Sequence, residues 1–289
     1  MLLRLIGVCV CALVLGSASA GSSGPATRSG AQGPARVPEE LRFLAIGDFG
    51  VGGATEAAAG RRLHRFQARS GATLLVTLGD NDYTKSPAAF RANWRRSFGW
   101  TRAAGLGVAG VIGNHDFATN AGRYEFRLLG MPGPYYSRVL GDVQLFFLDS
   151  NSVDDGQTGW LEQKLASSTA TWKIAVFHHP AYSCGGHGGS APIQARWAAL
   201  FARYGVQLVL SGHDHNYQRF VTRTGLAYVV HGGGGAVLYR LRECPHPYPT
   251  RVRARHEHGF LYVSVTPERL EGSAVDMRGR VTDRFTLTP

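Results

Sequence analysis

Lysine is nearly missing from this chain: only Lys85, Lys164 and Lys173 occur, so arginine carries the formal net charge of +11 at pH 7. A basic surface favours anionic partners, but an Ala-, Gly- and Arg-rich composition is also what a GC-rich genome encodes, and the plainer origin is preferred. No arginine run is interleaved with aromatics and no helix-turn-helix pattern occurs, so the usual sequence marks of a nucleic-acid binder are lacking. Internal repeats are absent too, which excludes solenoid and propeller arrays. The one strongly apolar run, Leu5–Leu15, is too short to span a bilayer, and no other segment is long enough to try.

That run follows Arg4 and precedes Ala18-Ser19-Ala20, the layout of a cleavable export signal. Residues 1–20 are therefore expected to be a signal peptide and the chain to be secreted or extracytoplasmic, with no integral membrane span after cleavage. Residues 21–40, rich in Gly, Ser, Ala and Pro, cannot bury enough apolar surface to offset their ordering entropy and read as a flexible tether. One catalytic domain is expected over residues 41–289. Cysteine is scarce as well. Cys9 and Cys11 fall inside the signal, leaving Cys184 and Cys244, and two cysteines in an exported chain suggest one disulfide.

Apolar runs, most of them leading into glycine, predict strands over 41–48, 73–80, 107–113, 172–177 and 206–210, with helices over 55–70, 87–98, 158–167 and 192–204 between them. Residues 136–140 and 143–149 predict a hairpin turning at Gly141-Asp142. Beyond residue 218 only strand-like runs follow, over 220–223, 226–231, 236–240, 260–266, 270–276 and 281–287. Alternation followed by a β-rich third implies an α/β fold: a four-layer α/β/β/α sandwich of two mixed sheets flanked by helices.

Five short motifs stand where strands give way to loops, the usual place for ligands in such folds. They are GDFG (Gly47–Gly50), GDNDY (Gly79–Tyr83), GNHD (Gly113–Asp116), FHHP (Phe177–Pro180) and SGHDHN (Ser211–Asn216). Together they offer Asp48, Asp80, Tyr83, Asn114, His178, His213 and His215: carboxylates, a phenol, an amide and imidazoles. Hard oxygen with borderline nitrogen donors and no thiolate suits Fe, Mn or Zn better than copper. Any one of these residues alone is more often a capping or hydrogen-bonding group; seven in order are hard to explain that way. Glycine before the donors at 47, 79, 113 and 212 suggests turns with unusual dihedrals. Gly232–Gly235 precedes no Lys-Ser/Thr, so a nucleotide P-loop is not supported.

The motifs resemble those of the calcineurin-like metallophosphoesterases and, within them, the purple acid phosphatases, over essentially residues 41–289. Most of the wider superfamily begins with GDxH, whose His binds metal. Here that position is Gly50, and the donor appears instead as Tyr83 in a GDxxY spelling. Exchanging imidazole for phenolate makes the site harder and more anionic, which favours Fe(III). The resemblance implies a ferric site of Asp48, Tyr83 and His215, a bridging Asp80, and a divalent site (Fe, Zn or Mn) of Asn114, His178 and His213. It implies hydrolysis of a small phosphomonoester by a metal-bound hydroxide, with His115 and His187 serving the leaving group. His187 lies nine residues after His178, the offset of the small animal-type tartrate-resistant enzymes, although a glycine-flanked His is also an ordinary exposed loop residue.

Several departures bear on this expectation. Ala175 stands where the family's fourth motif has Val, so His178 and His179 compete; His178 is preferred and His179 placed behind it. Asp82 adds a carboxylate inside GDxxY, and His231 stands where the family often has a small residue. Arg123, Tyr135, Tyr136 and residues 251–258 are candidate substrate contacts. The competing readings are a metallophosphodiesterase acting on nucleotides or phospholipid head groups, and a non-catalytic binder of envelope phosphates. Protein partners are not legible in the sequence.

Overall fold

The runs Leu41–Ile46 and Leu74–Leu78 are buried almost along their whole length, as strands must be when both faces of a sheet are covered. The computed structural model describes residues 40–289; the expected signal peptide and nearly all of the expected tether lie outside the described residues. Strands β1 (Leu41–Ile46), β2 (Leu74–Leu78) and β3 (Gly107–Val111) run parallel. The second sheet is built from β4 (Tyr136–Leu140), β5 (Val143–Phe147), β6 (Trp172–Val176), β7 (Leu208–Ser211), β8 (Tyr217–Val221), β9 (Ala227–His231) and β10 (Thr250–Arg255). The chain then returns through β11 (Gly259–Val265), β12 (Leu270–Asp276) and β13 (Val281–Leu287) to complete the first sheet. Strand orders are β13-β12-β11-β1-β2-β3 and β10-β8-β9-β7-β6-β5-β4. Both sheets are mixed: the second has a parallel centre with antiparallel flanks, whereas in the first β1, β2 and β3 are parallel at one end and β11, β12 and β13 are antiparallel at the other.

Side-chain alternation divides the second sheet into two faces. Leu145, Phe147, Ile174, Val176, Leu208 and Leu210 share one core with Phe43, Leu75 and Phe260 of the first sheet. Phe146, Ala175, Val209 and Tyr228 belong to a second core. That core is closed by helices α6 (Asp155–Ala166), α7 (Ala191–Arg196) and α8 (Ala198–Arg203), through Leu161, Trp197 and Phe201. On the first sheet, α1 (Gly53–Ser70) and α2 (Pro87–Phe98) bury Leu63, Phe90 and Phe98. The expected α/β/β/α sandwich is therefore the fold. Asp283 on β13 crosses between the sheets, accepting from Arg219 Nε (2.7 Å) and Arg253 Nε (3.4 Å) and from the Tyr217 hydroxyl (2.8 Å).

The expected hairpin forms with Leu140 opposite Val143. Other expectations need correction. Residues 236–240 form no strand; the edge is taken by β10, whose exposed arginines hid its pairing with β8. The helix expected over 192–204 breaks into α7 and α8 at Trp197. Short helices α3 (Trp100–Ala103), α4 (Asn114–Asn120) and α5 (Arg123–Leu129) were not expected, each having too few turns to display a period. Tyr136 is a core residue rather than a substrate contact: its hydroxyl donates to Gly110 O (2.9 Å) and accepts from Gly110 N (3.1 Å). Among the described residues no helix is long and apolar enough to cross a membrane.

Glu125 on α5 is 1% exposed and its Oε2 has no partner. Burial, with the nearby Asp82 charge, pushes its carboxyl up to about 7. A carboxyl raised in the folded state contributes stability that is full below its unfolded value near ~4.3 and lost as pH rises through ~7. Glu125→Gln should thus be more stable than the parent by about 1–2 kcal/mol at pH 8 after allowance for solvent screening, and no more stable at pH 4.5. Urea unfolding of both proteins at the two pH values checks this; an equal gain at both would refute the buried-charge account.

Candidate metal centre

All five motifs leave their strands at one end of the sandwich, three loops from the first sheet, carrying the carboxylates, Tyr83 and Asn114, facing two imidazole loops from the second. Parallel pairing sets this up. Ile46 lies beside Thr77 and Val176 beside Leu210, so adjacent strands release their loops side by side. The loops are then joined across the sheets: His178 Nδ1 is 2.8 Å from Leu78 O, and His213 N donates to Asp48 Oδ2 at 2.9 Å.

Two triads of donor atoms result. In the first, Asp48 Oδ1, the Tyr83 hydroxyl and His215 Nε2 lie 3.3–3.4 Å from one another. In the second, His178 Nε2 is 3.2 Å from Asn114 Oδ1 and 3.3 Å from His213 Nδ1. Asp80 stands between them, its Oδ1 3.5 Å from His178 Nε2, and it acts electrostatically on Tyr83 and His215. The structure thus brings together all seven residues singled out from the motifs, in the grouping implied by the resemblance. Their free nitrogens are aimed inward because the others are used: His178 Nδ1 faces Leu78 O and His215 Nδ1 faces Val237 O at 2.7 Å, the outer hydrogen bonds that fix an imidazole ligand's tautomer.

The electrostatics call for a cation. Burial, then Asp80, raises Asp48 to about 7 even though His215 and the His213 amide oppose this; burial raises Asp80 as well. Burial drives His178 and His213 far below the ordinary imidazole range, with mutual repulsion among the histidines adding to it. His215 moves the other way: burial lowers it, but Asp48 outweighs burial and raises it. Burial and the two carboxylates push the Tyr83 phenol up. Two imidazole nitrogens facing each other at 3.3 Å are stable only with a proton or a metal between them, so the donor set fits metal ions.

The local backbone is unusual where the donors sit. Asp48, Asp80 and His213 have φ of 58°, 51° and 67°, a left-handed region disfavoured for residues with a Cβ. Of the four preceding glycines only Gly79 has positive φ, 90°. The strain expected on the glycines therefore falls mostly on the donors themselves. Gly113 instead serves space: a Cβ there would lie 2.1 Å from Asp80 Oδ1. Gly50 is bare for the same reason. A Cβ would meet Asn81 O at 2.1 Å, because Tyr83 N donates to Gly50 O (3.0 Å) and folds the GDNDY loop over it. An imidazole at position 50 and this course of the Tyr83 loop exclude each other.

Other candidates divide. His115 is half exposed, its Nε2 3.9 Å from Asp80 Oδ2 and its ring 4.3 Å from that of Tyr83. His187 is exposed, as an ordinary loop residue would be, yet its ring stacks on His213 at 4.2 Å. His178 is fully buried, while His179 is half-buried and hydrogen-bonded to Ser150 Oγ at 2.8 Å, its ring 4.4 Å from His213. His231 is buried on β9 and burial lowers it to about 4. Asp82 is used up by Thr84, whose amide and hydroxyl donate to it. Tyr135 packs on Trp160, and Arg253 is engaged by Asp283.

Two carboxylates were overlooked because they lie inside motifs without being donors to the centre. Asp116 accepts from the amides of Asn81, Asp82 and Gly113 at 2.9–3.1 Å, stitching the second motif to the third. Asp214 accepts from the Ser183 hydroxyl and from His187 N (3.0 Å), anchoring the loop that carries His187. Cys184 in that loop is bonded to Cys244, as expected.

A family model described as calcineurin-like phosphoesterase matches residues 41–217, and the chain belongs to that family. The mouse (Mus musculus) tartrate-resistant acid phosphatase type 5 is 27% identical over 300 residues, spanning 86% of this chain and 90% of the mouse protein. The purple acid phosphatase PPD1 from yellow lupin (Lupinus luteus) seeds shares the fold with a TM-score of 0.72 at 19% identity, over 86% of this chain and 54% of that one. GAP50, the anchor in the inner membrane complex of Plasmodium, does so with a TM-score of 0.73 at 18% identity, over 86% and 89%. Within the family the chain stands in the purple acid phosphatase branch and is a metal-dependent phosphoric ester hydrolase with a dimetal centre.

His178→Ala should bind one metal ion fewer than the parent, whereas His179→Ala should keep the parent's metal content. Elemental analysis of the two purified variants decides between the adjacent histidines.

Proposed function

We propose that the chain is an exported phosphomonoesterase whose centre pairs Fe(III) with a divalent Fe, Zn or Mn ion. The observation that carries this reading is the Tyr83 hydroxyl, placed against Asp48 Oδ1 and His215 Nε2 at 3.4 and 3.3 Å, above a Gly50 that has no room for an imidazole. A phenol raised by burial and two carboxylates ionises only against a strongly Lewis-acidic ion, and a trivalent one serves best. In this reading Asp48, Tyr83 and His215 hold Fe(III), Asn114, His178 and His213 hold the divalent ion, and Asp80 bridges. When bound, the metals would lower the pKa of a coordinated water and neutralise charge on the phosphoryl group.

The chain's own residues supply the rest. His115 is carried on the first turn of α4, its amide donating to Asp80 Oδ1 at 3.0 Å, so its ring stays beside Asp80 and open to solvent. His187 approaches from the opposite loop, stacked on His213. A substrate phosphate over the centre would lie between these imidazoles, which can donate a hydrogen bond to its oxygens or a proton to the departing alkoxide. Export is supported by the expected signal and by the Cys184–Cys244 bond, since disulfides persist in oxidising compartments.

The purified parent is expected to show a visible tyrosinate-to-iron absorption band that is absent from Tyr83→Phe, and to hydrolyse a chromogenic phosphomonoester at least about 10-fold faster than the matching diester. A colourless, fully metallated, active parent would remove the ferric assignment. Faster turnover of the diester would reverse the substrate assignment and favour a phosphodiesterase.

A further inference from the structure

Residues 236–244 contribute no donor to the centre, yet they run between its two sides. The ring of Tyr239 stacks on His215, centroids 4.2 Å apart and planes 12° from parallel. The same ring meets His187 at 5.0 Å and 78°, edge against face. Tyr239 therefore touches one imidazole read as a metal ligand and one read as serving the leaving group. Its backbone is tied to the first of these: Tyr239 N donates to His215 O at 3.0 Å, and two residues earlier Val237 O receives His215 Nδ1 at 2.7 Å.

His187 needs such a wall. It is exposed, and glycine occupies positions 185, 186, 188 and 189 around it, so its backbone has unusual freedom. Asp214 holds its amide, and among the aromatic rings of the described residues those of His213 and Tyr239 stand against its imidazole. The loop lies directly on Tyr239: a Cβ at Gly186 would come within 3.1–3.2 Å of Tyr239 carbons. Two links then join the backbones that carry this contact, the Cys184–Cys244 bond and the hydrogen bond from Arg242 N to Cys184 O (2.7 Å).

We propose that Tyr239 is a positioning residue of the centre, fixing the plane of His215 and the place of His187 with one ring, and that the Cys184–Cys244 bond holds together the two segments that make this contact. The proposal rests on the function given above, in which His215 ligates metal and His187 faces the leaving group. The ring face and edge make the contacts, so the aromatic ring matters and the hydroxyl does not.

The test compares Tyr239→Phe and Tyr239→Leu with the parent. Calorimetric titration of each metal-free protein with zinc reads His215, kcat and KM on an aryl phosphate read both imidazoles, and thermal melting of the metal-free proteins reports on folding. In Tyr239→Leu one zinc site should weaken about 10-fold and kcat fall about 10- to 100-fold, with KM nearly unchanged. Tyr239→Phe should restore both while melting like the parent. A Leu variant that binds zinc and turns over like the parent overturns the proposal, as does a Phe variant as impaired as the Leu variant. A parent that binds two zinc ions but cleaves no phosphomonoester removes the proposed function, and the difference in zinc affinity between Leu and Phe variants still decides the role of Tyr239. A parent that binds no zinc overturns both.

Discussion

The buried carboxylate of Asp48 is the interaction on which the rest of the site depends. One oxygen lies against Tyr83 and His215, the other takes the amide of His213 from the opposite sheet, and the main chain of the same residue pairs with Gly79 O and Ala236 N. One residue thus connects both sheets and four loops. It does so fully buried, where an ionised carboxylate is costly unless a cation accompanies it. The fold accordingly gathers acceptors whose charges oppose one another, and an ion that satisfies them stabilises the folded state by mass action.

Strain and bare space around the centre follow from that convergence. Backbone from several loops must pass within van der Waals distance of Asp80, Asp48 and His178, so the loops run through glycines, and the left-handed dihedrals fall on Asp48, Asp80 and His213. The run at Gly232–Gly235 has the same cause. Gly234 N donates to Gly47 O at 2.9 Å, and a Cβ at Gly234 would meet that oxygen at 2.1 Å. The run is a close backbone contact beside the first motif.

Much of the candidate site was legible because each donor follows an apolar strand within a few residues, and strand ends are visible as patterns. The pairing of Gly50 with Tyr83 was legible as spelling, and the fold adds its steric reason. Asp116 and Asp214 were passed over because a carboxylate that accepts backbone amides has no mark of its own; its role depends on which loop arrives beside it. Tyr136 and Tyr135 looked alike in sequence, and only burial separated a core phenol bonded to Gly110 from a surface ring on Trp160. The strand at 250–255 was hidden because an edge strand facing solvent carries arginines where a central one carries valine.

By itself the sequence determined the layered α/β architecture, the order of the donors and the exchange of an imidazole for a phenol, because periodicity, glycine punctuation and donor chemistry are local properties. Tertiary structure decided which donors meet. It sorted them into two triads about Asp80, put His178 inside and His179 against Ser150, and laid Tyr239 between His215 and His187. Those relations arise from the stacking of one sheet on another, which joins residues 100 and 165 positions apart, and no pattern confined to neighbouring residues records that distance.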